Sequence, residues 1–465
     1  MTREAEHNPS EGPLSLVAIA RLWWPLALSM LLMSVEGPAH SAVVARLTRP
    51  EVNLAAWGGI VYPVSLIIES PVVMLLSAST ALSKDWAAYT RLRRIALTLG
   101  TLFTALHIGV AFTPLYDIVA LRIIGVPNEI VEPGRIGLMI MTPWTFAIAY
   151  RRFQEGAMIR FGHTKAVGTG AVIRLSANGL TLAAGYVLNQ VAGIAIPGIV
   201  VAASAVIVGV IAAALYMGLR ARPIVRAQIR PAPRQSEPVT LRRFAAFYVP
   251  LALTSLISFF VSPIGSAAMS RMPEALGSLA AWPVLDGLIF MLRSPWLAYN
   301  EVVVAQLDRP GAFRALRRFA IVLGVSALFL SLVVVGTPLA RLWLGDVMAL
   351  PSRLASLAHQ ALWFTLLLPP LALLQSWYQG IIVHSRRTRG ITESVVLFLV
   401  VTALVDGIGV VTQWSSGLQV SVVALVLAGL VQVGWLWYRS RSAARTLSEA
   451  ASVAVSASSL SAPTS

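Results

Sequence analysis

The sequence predicts an all-α polytopic membrane protein, with twelve transmembrane helices forming two parallel six-helix repeats around a central cavity. Its 465 residues are 57% hydrophobic and 12% charged, with a mean hydropathy of +0.75, whereas soluble domains carry about 25% charged residues. Apolar stretches of roughly 20 residues recur along the chain, and each can cross a bilayer. The second half also repeats motifs of the first in a constant register. These observations exclude a soluble or disordered chain.

The apolar stretches define the helices and, between them, the domain boundaries. We predict an N-terminal tail over 1–15, an N-lobe over 16–219, a basic linker over 220–244, a C-lobe over 245–438 and a disordered Ser/Ala-rich tail over 439–465. The start of the chain is polar and the first apolar stretch is too long for a cleavable signal peptide. The predicted helices span 16–44, 54–82, 95–113, 136–158, 166–188, 192–219, 245–270, 276–304, 319–337, 354–382, 393–411 and 418–438.

Charge follows this topology. Alternating connections place 26 of the 36 Lys and Arg residues on one side, here called the basic side, and seven on the opposite side. The positive-inside rule then predicts that both termini are cytoplasmic and that the protein is a multi-pass protein of the inner membrane. The net charge of +16 is thereby explained by topology, and no nucleic-acid partner is expected. Arg21 can snorkel to the basic side, which leaves Arg174 and Arg293 within the membrane.

An internal duplication joins the two halves. Motifs of the first half recur in the second at one fixed offset along the chain, which shortens by a single position after one deletion. Because each half has six helices, both halves enter the membrane from the same side, as in transporters whose substrate site lies between parallel repeats. The matching pairs include Pro25–Leu28 with Pro250–Leu253, Leu54–Trp57 with Leu279–Trp282, Ser70–Pro71 with Ser294–Pro295 and Leu92–Arg94 with Leu316–Arg318.

Short motifs in the first two helices of each half carry a family resemblance. They are Pro25–Leu26, Glu36–Pro38, Leu54–Gly58 and Ser70–Pro71, with Trp282–Val284 and Trp296–Leu297 in the second half. This pattern resembles the multidrug/oligosaccharidyl-lipid/polysaccharide exporter superfamily, which has the MATE-like fold, and is most similar to the progressive ankylosis protein family. The 34 arginines against two lysines are typical of a GC-rich bacterial genome, and hence of a bacterial homologue. The family resemblance implies export of organic anions such as pyrophosphate, citrate or nucleotides, while the superfamily equally allows cationic drugs or lipid-linked sugars.

Two intramembrane charges occupy equivalent positions in the repeats. Glu69 and Arg293 each directly precede Ser-Pro, and Glu69 lies near the middle of its helix. Ionisable groups at this depth usually face a cavity. The two side chains could face each other across the cavity or clamp a substrate, or each could belong to a local pair that holds helices together. Asp286, Arg293 and Asn300 are spaced seven apart, on one face of the eighth helix.

Further polar residues lie in the first and fifth helices. Glu36 and His40 share a face of the first helix, and Asn178 follows Arg174 by one turn in the fifth. A guanidinium group binds carboxylates and phosphates with two parallel hydrogen bonds, which suits Arg174 to an anionic substrate. Snorkelling of Arg174 to the basic side is the alternative.

These residues predict a secondary transporter that works by alternating access and exports an organic anion. Arg293 and Arg174, with Asn178 and Asn300, would bind the substrate. Glu69, Glu36, His40 and Asp286 would act in coupling or gating, because a desolvated carboxylate can exchange protons near neutral pH. A cation–drug antiporter, a lipid-linked glycan flippase and a lipid-binding scaffold remain alternatives.

No enzymatic motif accompanies these residues. The sequence has no HExxH, P-loop or nucleophile elbow, and no cysteine for a thiolate site. We therefore expect no catalytic activity, no cofactor and no metal, with transport coupled to a proton or sodium gradient. The expected partners are the lipid bilayer and a small organic anion, and the expected state is a monomer.

Overall fold

The computed structural model describes residues 14–233, 239–309, 311–386 and 388–460, and within them it is helical without β-strands. Eleven helices are long and apolar enough to cross a membrane. The fourth crossing consists of two consecutive helices, and Arg151, Arg152 and Glu155 make its second part more polar than the others. The predicted fold class is confirmed. The twelve crossings, in order, are Leu16–Val44, Pro50–Leu82, Trp86–Phe112, Val131–Met141 with Pro143–Arg160, Thr164–Gln190, Gly198–Ile229, Leu241–Met269, Ala275–Gln306, Ala312–Gly336, Ser352–His384, Arg389–Thr412 and Gly417–Leu460.

Some helix ends differ from the predicted ones. The third helix begins at Trp86, where the Asp85 side chain accepts a hydrogen bond from the Ala88 amide at 2.7 Å, so the helix takes in a segment predicted as loop. The sixth helix runs on to Ile229 and shortens the predicted linker. The twelfth continues to Leu460, where a disordered tail was predicted. Both extensions contain several Ala and Arg residues, which favour helix without needing an apolar environment.

The repeat extends to the breaks in the helices. The first and seventh helices both change direction in their middle, at Val35 and at Phe260, which are equivalent in the repeat register. Each helix is followed by a residue in the left-handed conformation, Arg49 with φ 51° and Glu274 with φ 59°, again at equivalent positions. Because non-glycine residues rarely adopt this conformation, its recurrence marks a shared backbone design.

The ends of the third and ninth helices also match. Thr113 Oγ1 donates to the Gly109 carbonyl at 2.6 Å, and Thr337 Oγ1 donates to the Val333 carbonyl at 2.6 Å. Each threonine is followed by a turn of wider, π-type helix, at Ile118–Ile124 and Leu342–Val347. These two turns lie on the side opposite the basic side, and each has its carbonyl end near the other lobe.

The lobes meet where the first and second helices pack against the seventh and eighth. Small residues allow the close crossings. A Cβ atom on Gly58 would lie 2.8 Å from Pro283 Cδ, and one on Gly287 would lie 3.0 Å from Pro38 Cδ. Glycine is therefore required at Gly58 if the second and eighth helices are to keep their separation.

Candidate functional site

An ion pair joins the first and fifth helices within the N-lobe. The Arg174 guanidinium bonds the Glu36 carboxylate, and Asn178 Nδ2 donates to the same carboxylate oxygen at 2.9 Å. Gly209 of the sixth helix lets the fifth approach, because a Cβ there would lie 2.8 Å from the Arg174 carbonyl oxygen. Arg174 is thus neutralised inside the protein. Asn178 belongs to the same group of side chains.

His40 is tied to this pair and begins a row of aromatic rings. Its Nδ1 lies 2.8 Å from the Glu36 carbonyl oxygen, and its ring stacks on Trp57 at 5.9 Å between centroids. Trp57 is followed by Tyr62 at 5.6 Å, and Tyr62 by Trp144 at 6.2 Å. Of these four residues only Tyr62 is exposed, at 41%. The row therefore includes an aromatic surface open to a ligand.

Glu69 lies deeper in the N-lobe among arginines. It is 5% exposed, and its Oε2 has no hydrogen-bond partner in the described residues. Arg151, Arg152 and Arg174 supply the positive charges that act on it. Arg151 is itself buried and pairs with Glu155, with 3.1 Å between Nε and Oε1.

The structure adds Glu155 and Arg151 to the predicted site residues. Their spacing of four along a helix is a known signal for an ion pair. Arg151 is one of the basic-side charges that the topology explains. Three glutamates and three arginines form this group of charges in the N-lobe, and their formal charges cancel. They are Glu36, Glu69, Glu155, Arg151, Arg152 and Arg174.

Arg293 lies in the C-lobe and is in a different situation. No hydrogen bond or ion pair is formed by its side chain within the described part of the chain, and its Nε is buried without a partner. It borders a cavity of about 10 Å³ between the eighth, tenth, eleventh and twelfth helices, which Gln375 and Gln432 also line. Gln432 is buried. The cavity has room for about one water molecule.

The remaining predicted residues of the eighth helix are spread along it. Asp286 is exposed and forms no hydrogen bond among the described residues, but its charge attracts that of Arg293. Asn300 lies beyond a break in the helix at Ala298. No ion pair joins Glu69 to Arg293 in the described structure, so the repeat-equivalent charges belong to separate local environments.

A buried carboxyl group also joins the eleventh and twelfth helices. Asp406 is 1% exposed, and its Oδ1 accepts a hydrogen bond from Ser421 Oγ at 3.1 Å. Its second oxygen has no partner in the described residues. Across the described chain, no group of three or more His, Cys, Asp or Glu side chains is placed to hold a metal ion.

Two arginines connect the lobes on the side opposite the basic side. Arg271 of the C-lobe donates to the carbonyls of Ile124 at 2.5 Å, Ile123 at 2.8 Å and Arg122 at 3.2 Å. Arg46 of the N-lobe donates to the Asp346 carbonyl at 2.8 Å. The two arginines are equivalent in the repeat register, and each bonds the carbonyl end of the other lobe's π-type turn. We call this pair of contacts the arginine latch.

A second reciprocal contact lies nearer the basic side. Trp23 Nε1 donates to the Pro295 carbonyl at 3.1 Å, and the Tyr248 hydroxyl donates to the Pro71 carbonyl. Trp23 is equivalent to Tyr248 in the repeat register, and Pro71 is equivalent to Pro295. Trp23 also stacks on Trp296 at 5.8 Å. The repeat shows from the sequence which residues are equivalent. It does not show that each of these residues contacts the opposite lobe.

The chain is similar to solved transporter structures in fold. A multidrug resistance MATE family transporter of the MOP superfamily in an inward-facing conformation matches with a TM-score of 0.66 and 15% identity, over 93% of this chain and all of that one. Lipid II flippase MurJ, in an inward closed conformation, matches with a TM-score of 0.65 and 15% identity, over 96% of this chain and 94% of that one.

A third similar structure is a MOP superfamily transporter from Pyrococcus furiosus Vc1, described as having reverse polarity of its binding pocket. It matches with a TM-score of 0.58 and 18% identity, over 94% of this chain and 97% of that one. No protein-family profile and no curated protein sequence matches the chain. The similarity to these three structures shows that the chain has the MATE-like fold.

Proposed function

We propose that this chain is a secondary transporter that exports a small organic anion by alternating access. The observation that carries the proposal is Arg293, a guanidinium group within the membrane region that bonds no described residue. An unpaired charge in such surroundings is costly. A carboxylate or phosphate group on the substrate would supply the missing partner.

Arg174 contributes differently. Because Glu36 already neutralises it, a substrate anion would have to compete with that carboxylate or exchange with it. We therefore assign first contact with the substrate to Arg293 and a secondary role to Arg174 with Asn178. The cavity at Arg293 is smaller than citrate or a nucleotide, so substrate entry requires the tenth and twelfth helices to separate there.

The contacts between the lobes support alternating access. The two repeat-related sets of contacts bond each lobe to the other near the basic side and on the opposite side, where Arg353 also pairs with Glu51. Breaking the contacts on one side would open the cleft on that side. With basic loops on the cytoplasmic face, both termini are cytoplasmic. The arginine latch then closes the cleft between the lobes on the outer side of the inner membrane. The family resemblance, which implies export, favours the same direction of transport.

Coupling falls to the carboxyl groups. Glu69 has a buried oxygen without a partner in the described residues, and a proton bound there would remove a buried unpaired charge. We propose Glu69 as the proton carrier, with Asp286 as the exposed carboxylate of the cleft. Glu36 and His40, which are bonded to each other, would shift when Arg174 exchanges its partner.

Transport into inside-out proteoliposomes tests the proposal. Wild-type protein should take up labelled citrate, pyrophosphate or nucleotide under a proton gradient, with a sodium gradient as the parallel arm. Arg293→Ala should abolish uptake while the protein remains folded, and Arg318→Ala, at an exposed basic-side arginine, should leave uptake unchanged. The anion proposal is wrong if wild type moves none of these anions but lowers cellular accumulation of a cationic dye.

One pair of residues favours a second candidate, a cation–drug antiporter. Asp286 presents an exposed carboxylate without a bonded partner in the described residues. Its charge acts on the hydroxyl group of Tyr62, whose side chain is 41% exposed. A carboxylate beside an aromatic face is a good site for an organic cation. Under this candidate, wild-type protein should extrude a cationic dye and Asp286→Asn should abolish that efflux, whereas under the first candidate wild-type protein moves no such dye.

A further inference from the structure

The outer surface of the C-lobe carries a groove remote from the cleft between the lobes. It lies between the eleventh and twelfth helices, near their basic-side ends, and has a volume of about 400 Å³. Two arginines, a glutamate and a tryptophan surround its apolar floor. The lining residues are Arg389, Thr392, Glu393, Val396, Leu397 and Trp435, and Arg439 adjoins them through Glu393.

The charged groups at the mouth of the groove leave donors unused. Arg389 Nε lies 3.1 Å from Glu393 Oε1, and Arg439 Nε lies 3.2 Å from Glu393 Oε2. Trp435 Nε1 also donates to Glu393, at 3.2 Å. No hydrogen bond or ion pair to the described residues engages the Nη groups of either arginine. Two guanidinium groups and one carboxylate leave a net charge of +1 with several free donors.

The backbone builds this arrangement. A Cβ atom on Gly390 would lie 3.1 Å from Arg439 Cβ and 3.2 Å from Arg439 Nε. Glycine thus lets the stem of Arg439 lie against the first turn of the eleventh helix, which brings its head group to Glu393. The equivalent N-lobe positions are Lys165 and Thr169, so the N-lobe has no matching carboxylate there.

An apolar stripe continues from the groove along the eleventh helix. Val396, Val400, Leu404 and Ile408 follow each other at intervals of four and are 40%, 46%, 60% and 58% exposed. Residues at this spacing share one helix face. In a membrane protein this face contacts acyl chains, and it leads directly to the charged mouth of the groove.

We propose that this groove binds an anionic phospholipid. The phosphate of the lipid accepts hydrogen bonds from the Nη groups of Arg389 and Arg439, and one acyl chain lies along the stripe from Val396 toward Ile408. The net charge of +1 matches a phosphodiester, and a guanidinium group is a strong donor to phosphate oxygens. Trp435 contributes the aromatic ring that tryptophan commonly places at the headgroup level.

Native mass spectrometry of the full chain, released from a neutral detergent, tests this assignment. Phosphatidylglycerol, phosphatidylcholine and inorganic phosphate are titrated separately. Wild type should retain phosphatidylglycerol, with about tenfold or higher affinity than phosphatidylcholine, and should not retain inorganic phosphate. Loss of both arginines, in Arg389→Gln with Arg439→Gln, should weaken phosphatidylglycerol binding at least about tenfold, because the charge-assisted hydrogen bonds to the phosphate are lost.

Two further variants keep the test independent of folding defects. Lys165→Gln, at the equivalent N-lobe position, should retain the lipid as wild type does. Glu393→Gln raises the local charge and should bind phosphatidylglycerol at least as tightly as wild type. Equal retention of both lipids, unchanged binding by the double variant, or binding of inorganic phosphate alone would each overturn the proposal.

Discussion

The arginine latch should control how often the protein opens on the side opposite the basic side. In Arg271→Ala, three hydrogen bonds between the lobes are lost, and in Arg46→Ala one is lost. A positive charge at the carbonyl end of a helix is also favourable. Because most of these bonds are solvent-exposed, about 1 kcal/mol each is a suitable value within the range for protein hydrogen bonds.

These values give two different shifts in population. Loss of about 3 kcal/mol in Arg271→Ala changes the closed-to-open ratio about 150-fold, and loss of about 1 kcal/mol in Arg46→Ala changes it about fivefold. An open state populated at about 1% in wild type would reach about 60% in Arg271→Ala and about 5% in Arg46→Ala. The asymmetry between two repeat-equivalent residues is the informative part of the result.

Double electron–electron resonance measures this opening directly. The chain has no cysteine, so Asn128→Cys and Ser352→Cys place two nitroxide labels without background. Both positions are exposed and lie on the latch side, at equivalent places in the two lobes. Arg271→Ala should add a longer distance as the major component, and Arg341→Ala, at an exposed arginine of the same side, should not. An unchanged distribution in Arg271→Ala, or equal opening in Arg46→Ala, would refute the reasoning.

Three further variants test the packing and the second lobe contact. Tyr248→Phe removes one hydrogen bond between the lobes and should increase labelling, from the basic side, of a single cysteine introduced into the cleft, by about fivefold for about 1 kcal/mol; unchanged labelling would show that the bond does not hold the lobes together. Gly209→Ala should lower the melting temperature, because its Cβ would lie 2.8 Å from the Arg174 carbonyl oxygen and such overpacking costs about 1–3 kcal/mol, whereas Gly179→Ala, with open space around it, should not. Glu36→Gln should destabilise the protein by about 3 kcal/mol by leaving Arg174 unpaired, and Glu36→Gln with Arg174→Gln should recover part of that loss in thermal unfolding; additive losses would contradict a direct ion pair.

The helices and the repeat could be predicted from the sequence because the signals for them are local or periodic. Hydropathy located the eleven described helices that are long and apolar enough to cross a membrane, and the constant offset of the motifs predicts the lobe boundary. The errors arose where composition is ambiguous. Residues 220–229 and 439–460 are basic or small and polar, which suits a linker as well as a solvent-exposed helix, and they are helical.

The partners of the charged residues were less accessible to sequence reasoning. Arg174 and Glu36 are far apart in the chain, and their pairing depends on how the first and fifth helices pack. Arg46 and Arg271 lie next to loops, and their positions in the sequence do not indicate that each bonds a backbone carbonyl of the other lobe. The sequence places Arg293 and Arg174 alike within the membrane, whereas the structure pairs Arg174 with Glu36 and gives Arg293 no bonded partner among the described residues.

The two repeats agree and differ in a consistent manner. Equivalent residues form two sets of the contacts that join the lobes, since the arginine latch and the bonds to Pro71 and Pro295 obey the repeat register on both sides of the membrane. The charged interiors do not obey it, because Glu69 in one lobe corresponds to Arg293 in the other. After a duplication, residues that move two similar bodies against each other remain under one common constraint. Residues that bind a substrate and a coupling ion do not, because these ligands differ in charge. The opposite charges of Glu69 and Arg293 therefore favour a division of labour in which the N-lobe couples and the C-lobe binds the anion.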